Sequence, residues 1–201
     1  MDTELTNTLT LCLLEKAIAY HRWVFEKISP YLGGNILEVG CGIGNLTSFL
    51  LNHGKVIVSD INEGYLRMVE DKYRNHPNLK GVLLWNIEQN PAQNLNMPID
   101  TIFCSNVLEH IEKDDAVLNI FSQLLPQGGR LILLVPAIRG LYNGLDKELG
   151  HFRRYNRAEL IQKLTRNGFR CCHINYFNLF GMLGWFQWHD FEKAPSISKA
   201  D

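Results

Sequence analysis

Residues 36–45 read Ile-Leu-Glu-Val-Gly-Cys-Gly-Ile-Gly-Asn. Ile36 to Val39 have the apolar character of a buried parallel strand, and Gly40, Cys41, Gly42, Ile43 and Gly44 make a tight turn. Asn45 to Leu51 then carry a helical apolar pattern. A strand, a glycine turn and a helix start together form a nucleotide-type cradle, because glycines let the backbone approach a ligand closely. The spacing is G-x-G-x-G and not the G-x-G-x-x-G of nicotinamide binders. Glu38 stands two residues before the first glycine. A pyrophosphate would be repelled by that acid and would want a bare helix N-terminus. A cationic ligand with an amino group would be attracted.

Working outward, apolar positions at helical spacing (Leu14, Ala17, Ile18, Val24, Phe25, Ile28) predict a helix over 11–28 that stops at Ser29-Pro30. Strands are expected at 35–40, 55–60, 79–85, 99–104 and 130–135, with a sixth at 169–176. Helices are expected at 44–52, 63–74, 114–125 and 157–167. Residues 137–156 show no apolar periodicity but many glycines, aromatics and charges, and read as a long functional loop. The alternation predicts an α/β fold: one domain over 1–201, doubly wound and Rossmann-like, with a mostly parallel sheet. Its parts are an N-terminal helical segment (1–30), a core (31–136), the loop (137–156) and a C-terminal part (157–201).

The 201 residues are 46% hydrophobic and 20% charged, which suits an ordinary globular domain. A formal net charge of −1 offers no basic field for nucleic acid, and none is expected as partner. The five cysteines (Cys12, Cys41, Cys104, Cys171, Cys172) lack metal-ligand spacing. Cys41 and Cys104 read as small apolar filler, and the adjacent Cys171 and Cys172 suit no redox pair. The first ten residues lack a basic region followed by an apolar core, so a reduced cytoplasmic setting is expected. No metal is expected, since no His/Asp cluster has ligand spacing.

Asp60 closes the second strand 20 residues after Gly40, where an acid can accept hydrogen bonds from both ribose hydroxyls. Asn86 follows the third strand and can pair with an adenine edge, with Ile87 packing on the ring. Asn-Val-Leu-Glu-His at 106–110 follows the fourth strand, at the sheet edge where open α/β folds place ligands. Together with Leu-Glu-Val-Gly-Cys-Gly-Ile-Gly-Asn at 37–45, Ser-Asp at 59–60, Asn-Val-Leu-Glu-His-Ile at 106–111 and Leu-Pro-Gln-Gly-Gly at 125–129, the chain over 22–176 resembles the class I S-adenosylmethionine (SAM)-dependent methyltransferases. SAM is the cationic ligand with an amino group that Glu38 would favour.

The resemblance implies that Glu38 and the backbone of Gly40, Cys41, Gly42 and Gly44 hold the methionine portion, with Asn45 beside them. It implies that Asp60 and Ile61 serve the ribose side, Asn86 and Ile87 the adenine, and Asn106, Val107 and Leu108 the reacting methyl. Where the family commonly carries Asp at the adenine position this chain has Asn86, whose amide oxygen can still accept from the adenine amino group. A second stretch, 141–155, resembles a subgroup of bacterial methyltransferases (type 11/12-like) with a D-x-x-x-G-H-x-R-R-Y loop after strand five, here on the acceptor side.

Methyl transfer from a sulfonium is an in-line displacement, so positioning supplies much of the acceleration and a base is needed only for a protonated nucleophile. His151 and His110 are the candidate bases, with His110 alternatively a helix-start residue bonded to backbone. Tyr142 and Tyr155 can orient an acceptor or simply pack. Arg153 and Arg154 can bind an anionic acceptor bidentately, or pair with Asp146 or Glu148.

The aromatic and apolar stretch 176–188 is too short and interrupted to span a bilayer. It can line an acceptor pocket or lie on a membrane surface as a peripheral contact. No convincing seventh strand follows, so the C-terminal hairpin is expected to be incomplete or completed by a partner chain. The expected function is methyl transfer from SAM to a small-molecule or lipid-linked acceptor. The alternatives are a non-catalytic SAM-binding or partner module and an NAD-dependent oxidoreductase, the last opposed by the glycine spacing and Glu38.

Overall fold

The computed structural model describes residue 8 and residues 17–89 and 95–176. The start of the expected first helix, Cys12 and the aromatic stretch beyond Tyr176 lie outside these residues, as does the expected C-terminal hairpin.

In chain order the elements are α1 (Ile18–Ile28), β1 (Asn35–Val39), α2 (Thr47–His53), β2 (Lys55–Asp60), α3 (Glu63–Tyr73), β3 (Leu79–Leu84), β4 (Thr101–Ser105), α4 (Asp114–Leu124), β5 (Arg130–Leu134), α5 (Gly144–Glu148) and α6 (Arg157–Arg166). The five strands form one sheet in the order β3-β2-β1-β4-β5, every pair parallel. Successive side chains of a strand leave opposite faces, so a strand covered on both faces needs apolar residues throughout. In β1, Leu37 and Val39 enter a core with Ile57, Ile102, Val117, Leu118 and Phe121. Ile36 faces the other way, into a second core with Leu50, Leu51, Val56, Leu66, Val69 and Phe103. Asp114, Val117, Leu118 and Phe121 of α4 are buried at the i, i+3, i+4, i+7 spacing of one helix face.

Two expectations need correction. No strand forms over 169–176 among the described residues. A strand exists only through ladder bonds to a neighbour, and here the Phe169 N–H instead caps Leu164 of α6. Phe169 and Ile174 still pack on the core, so the apolar signal was real and its periodicity misleading. The stretch 137–156 is also more ordered than a loop, holding a 3-10 turn at Arg139–Leu141 and the short helix α5. Five residues cannot display a helical period. The readable signal was Asn143 followed three residues later by Asp146, and the structure forms that capping box.

Candidate functional site

The strand order reverses between β1 and β4, and in open α/β sheets that crevice at the carboxyl ends holds the ligand. The turn after β1 enters it with Gly40, Gly42 and Gly44 at φ 72°, 53° and 84°, all left-handed. At Gly40 the need for glycine is double. A Cβ there would lie 2.1 Å from Val107 Cγ2, in the segment after β4. Gly40→Ala should therefore lose about 2–4 kcal/mol, adding left-handed strain to overpacking. Adding Val107→Ala should recover only the overpacking part, as urea unfolding of the three chains would show.

Two carboxylates brace this turn. Glu38 is 3% exposed, and Thr47 Oγ1 donates to its Oε2 at 2.7 Å. Burial pushes the Glu38 carboxyl up to about 8, with the Thr47 bond pulling down and nearby Asp60 adding to the rise. Asp60 accepts from the Gly42 N–H at 2.8 Å and the Asn62 N–H at 2.9 Å. It thus ties the glycine turn to the start of α3, and burial raises its carboxyl against these bonds. Thr47 carried no signal in the sequence beyond its place at a helix start.

Of the remaining residues expected at the cofactor, Cys41 is buried, Asn45 is half-buried and Ile61 is 66% exposed at the end of β2. Asn86 is half-buried with its Oδ1 accepting from Glu88 N–H at 3.0 Å, and Ile87 beside it is buried. After β4, Asn106 adopts φ 51°, a left-handed conformation that asparagine tolerates, while Val107 is half-buried and Leu108 fully buried.

The 142–155 segment folds over the 3-10 turn Leu108–His110. A parallel bridge between Ala137 and Tyr155 closes its ends, and the Phe152 N–H donates to the Glu109 carbonyl at 2.8 Å. Asp146, fully buried, organises the interior. Its carboxylate accepts from Arg154 Nε at 2.9 Å to both oxygens, lies 2.8 Å from His151 Nδ1, and receives the Asn143 N–H at 3.0 Å. Burial pushes this carboxyl up, but His151 and Arg154 outweigh it and hold the group below the usual range. Arg154 therefore takes the ion pair with Asp146.

Arg153 pairs with neither Asp146 nor Glu148. Its guanidinium reaches Asp114 at 2.9 Å and the Glu112 carbonyl at 2.8 Å. Asp114 also binds Lys163 at 2.8 Å and lies 2.9 Å from the Tyr155 hydroxyl, which is 3.1 Å from the Leu108 carbonyl. Tyr155 is 2% exposed, and burial together with Asp114 raises its hydroxyl pKa. Tyr142 donates its hydroxyl to the His151 carbonyl at 2.7 Å. The pairing of Asp146 with an arginine was one alternative the sequence offered, whereas its bond to His151 and the role of Asp114 were not readable, because folding alone sets those partners.

The structure brings His110 and His151 together, rings edge to face with centroids 4.6 Å apart. Burial lowers His110 to about 4, and the neighbouring His151 adds to the fall. Glu109 between Leu108 and His110 is 0% exposed, and burial lifts its carboxyl to about 8.

A family model described as a methyltransferase domain matches residues 37–131. The chain is 25% identical over 159 residues to malonyl-[acyl-carrier protein] O-methyltransferase 1 of Ilyobacter polytropus, covering 72% of this chain and 58% of that protein. It is 33% identical over 124 residues to the ubiquinone/menaquinone biosynthesis C-methyltransferase UbiE of Escherichia coli O1:K1 / APEC, covering 57% and 47% respectively. The chain thus spans about half the length of these curated relatives. A solved putative methyltransferase from Bacillus halodurans C-125 shares the fold, with TM-score 0.62 at 18% identity over 90% of this chain and 85% of that one. Motif, fold and these matches indicate a class I SAM-dependent methyltransferase domain, with the family match lying over residues 37–131.

Proposed function

We propose that this chain transfers the methyl group of SAM to a small or carrier-linked acceptor. One observation carries the reading. Two buried carboxylates, Glu38 and Asp60, end adjacent parallel strands and flank a turn with three left-handed glycines, at the point where the sheet order reverses. Glu38 suits the cationic methionine portion and Asp60 the ribose hydroxyls, with Asn86 and Ile87 on the adenine side and Asn106 to Leu108 beside the methyl. Two relatives, one named for an acyl-carrier-protein substrate and one for quinone biosynthesis, support a carrier- or lipid-linked acceptor.

In the displacement, the acceptor's nucleophilic atom forms its bond to the methyl carbon as the carbon–sulfur bond breaks, and S-adenosylhomocysteine leaves. A nucleophile that begins protonated must give up its proton. His151 is the base of choice: with its Nδ1 turned to Asp146, Nε2 keeps its lone pair. Arg153, Arg154 and Tyr155 act as positioning groups that fasten the loop carrying His151.

Calorimetry with SAM, S-adenosylhomocysteine and NAD tests the first half. Binding of the two sulfur nucleosides without NAD is expected, and NAD binding alone would overturn the reading. His151→Ala tests the second half. Turnover should fall by about 10²–10⁴ on a protonated acceptor, with SAM affinity spared. Unchanged turnover would remove His151 from the mechanism.

A further inference from the structure

Both carboxylate oxygens of Glu109 are buried and find no hydrogen-bond partner from any other residue among the described residues. A buried carboxyl left in this way is costly, and groups so placed are paired or coordinate a metal. Two imidazoles converge on it. His110 is its neighbour in the chain, and His151 is delivered by the folded 142–155 segment. One ligand atom from each of the three lies within 4.8 Å of the others.

The second nitrogen of His151 is already engaged, with Nδ1 2.8 Å from Asp146 Oδ1. Metal-ligating histidines are held in this way, one nitrogen oriented by a carboxylate or carbonyl and the other left for the ion. Asp146 is in turn held by Arg154 and the Asn143 N–H, so the orienting group is itself fixed. A four-coordinate ion with bonds of about 2.0–2.2 Å keeps its ligands about 3.4 Å apart. Reaching that spacing from 4.8 Å would take rotations of the two rings and the carboxylate.

We propose that Glu109, His110 and His151 form a site for a first-row divalent transition ion, of which zinc suits a two-imidazole, one-carboxylate donor set best. Magnesium and calcium prefer oxygen donors alone and should bind weakly here. Three protein ligands leave a fourth position for water or an acceptor oxygen. An ion there would act as the Lewis acid that lowers the acceptor's pKa, so that its proton can pass to solvent water without His151 as the base. The sequence spacing concealed the site because His151 is far from Glu109 and His110 along the chain. The site stands on this cluster and not on the methyl-transfer reading, and it is measured without SAM or acceptor.

The test titrates the chelator-treated, redialysed full chain with cobalt(II), followed by its visible absorption, then by displacement with zinc(II). One equivalent of cobalt with an imidazole-type spectrum is expected, displaced by zinc and not by magnesium. Asp146→Asn should weaken binding by about 10–100-fold, the usual cost of losing an outer partner, and His110→Ala or His151→Ala by more. Glu109→Gln, close in shape, keeps the packing if the histidine variants fail to fold, and should weaken binding similarly. Cys171→Ser with Cys172→Ser removes the two accessible thiols among the described residues and should leave binding unchanged. Absence of one-equivalent binding, binding indifferent to Glu109→Gln, or loss with the cysteines would each overturn the proposal. Failure of methyl transfer would register separately, as absence of SAM binding.

Discussion

SAM affinity should rise about tenfold per pH unit from pH 6 toward pH 8, with one proton released per ligand bound. In the free protein the buried Glu38 carboxyl titrates near 8, so at pH 6 it is protonated. A cationic ligand needs the carboxylate, and ionising a group two units below its pKa costs about 2.7 kcal/mol, roughly 100-fold in affinity. Above pH 8 the trend should reverse as the SAM amino group, with an α-amino pKa of about 7.7–8.0, loses its proton. In Glu38→Gln the acid limb should vanish while the alkaline limb stays, with affinity at pH 8 down by about 10–150-fold for a lost charge-assisted contact. Calorimetry in buffers of different ionisation enthalpy counts the protons directly. No proton release in the native chain, together with an unaltered profile in Glu38→Gln, would place the ligand's charge elsewhere.

The same shift has a consequence for folding. A carboxyl whose folded pKa lies above its unfolded value contributes stability that is fully present below the unfolded pKa. That contribution fades as pH rises through about 8. The ligand-free protein should therefore lose stability across the weakly acid to neutral range, and SAM should restore it by mass action.

Asp146→Asn should cost about 3–5 kcal/mol, a fall in Tm of roughly 6–20 °C for a domain of this size. The carboxylate is fully buried and Arg154 is 6% exposed, so neutralising the acid strands a guanidinium away from water. Adding Arg154→Met should recover part of the loss, since no buried charge is then left alone. A single variant within about 1 kcal/mol of the native chain would mean that water reaches Arg154, and that the pair is weak for the reason surface pairs are. Hydrogen exchange at the amides of 142–155 would show whether opening is confined to this segment. Because the folded Asp146 carboxyl lies below its ordinary value, its contribution is present at neutral pH. It disappears as pH falls through that lowered value.

Those two residues mark the boundary of what a linear reading reaches. Glu38 was legible because its meaning is local: an acid at a strand end, two residues from a glycine turn, is costly without a ligand or partner. The five strands were legible for the same kind of reason. Val56 to Val58 or Ile102 to Cys104 form apolar runs that only a sheet covered on both faces can bury. Helix α2 begins at Thr47, three residues later than its apolar pattern suggested, because the glycine turn extends through Gly44 before the chain can enter helical geometry. For Asp146 the sequence offered a pairing with Arg153 or Arg154, but which arginine takes it, and that His151 joins it, depends on the segment folding back around the acid. Asp114 depends likewise on Arg153, Tyr155 and Lys163, from the loop and from α6.

By itself the sequence determined the parallel α/β architecture, the glycine turn and the pair of acids at its mouth, because strand burial, left-handed backbone and charge placement act over a few neighbouring residues. Only the tertiary structure decided which arginine meets which carboxylate, that residues 169–176 form no strand among the described residues, and that Glu109, His110 and His151 share one locus. Ion pairs, ladders and ligand clusters are made between elements distant along the chain. Their partners are chosen by packing, and no spacing along the chain encodes that choice.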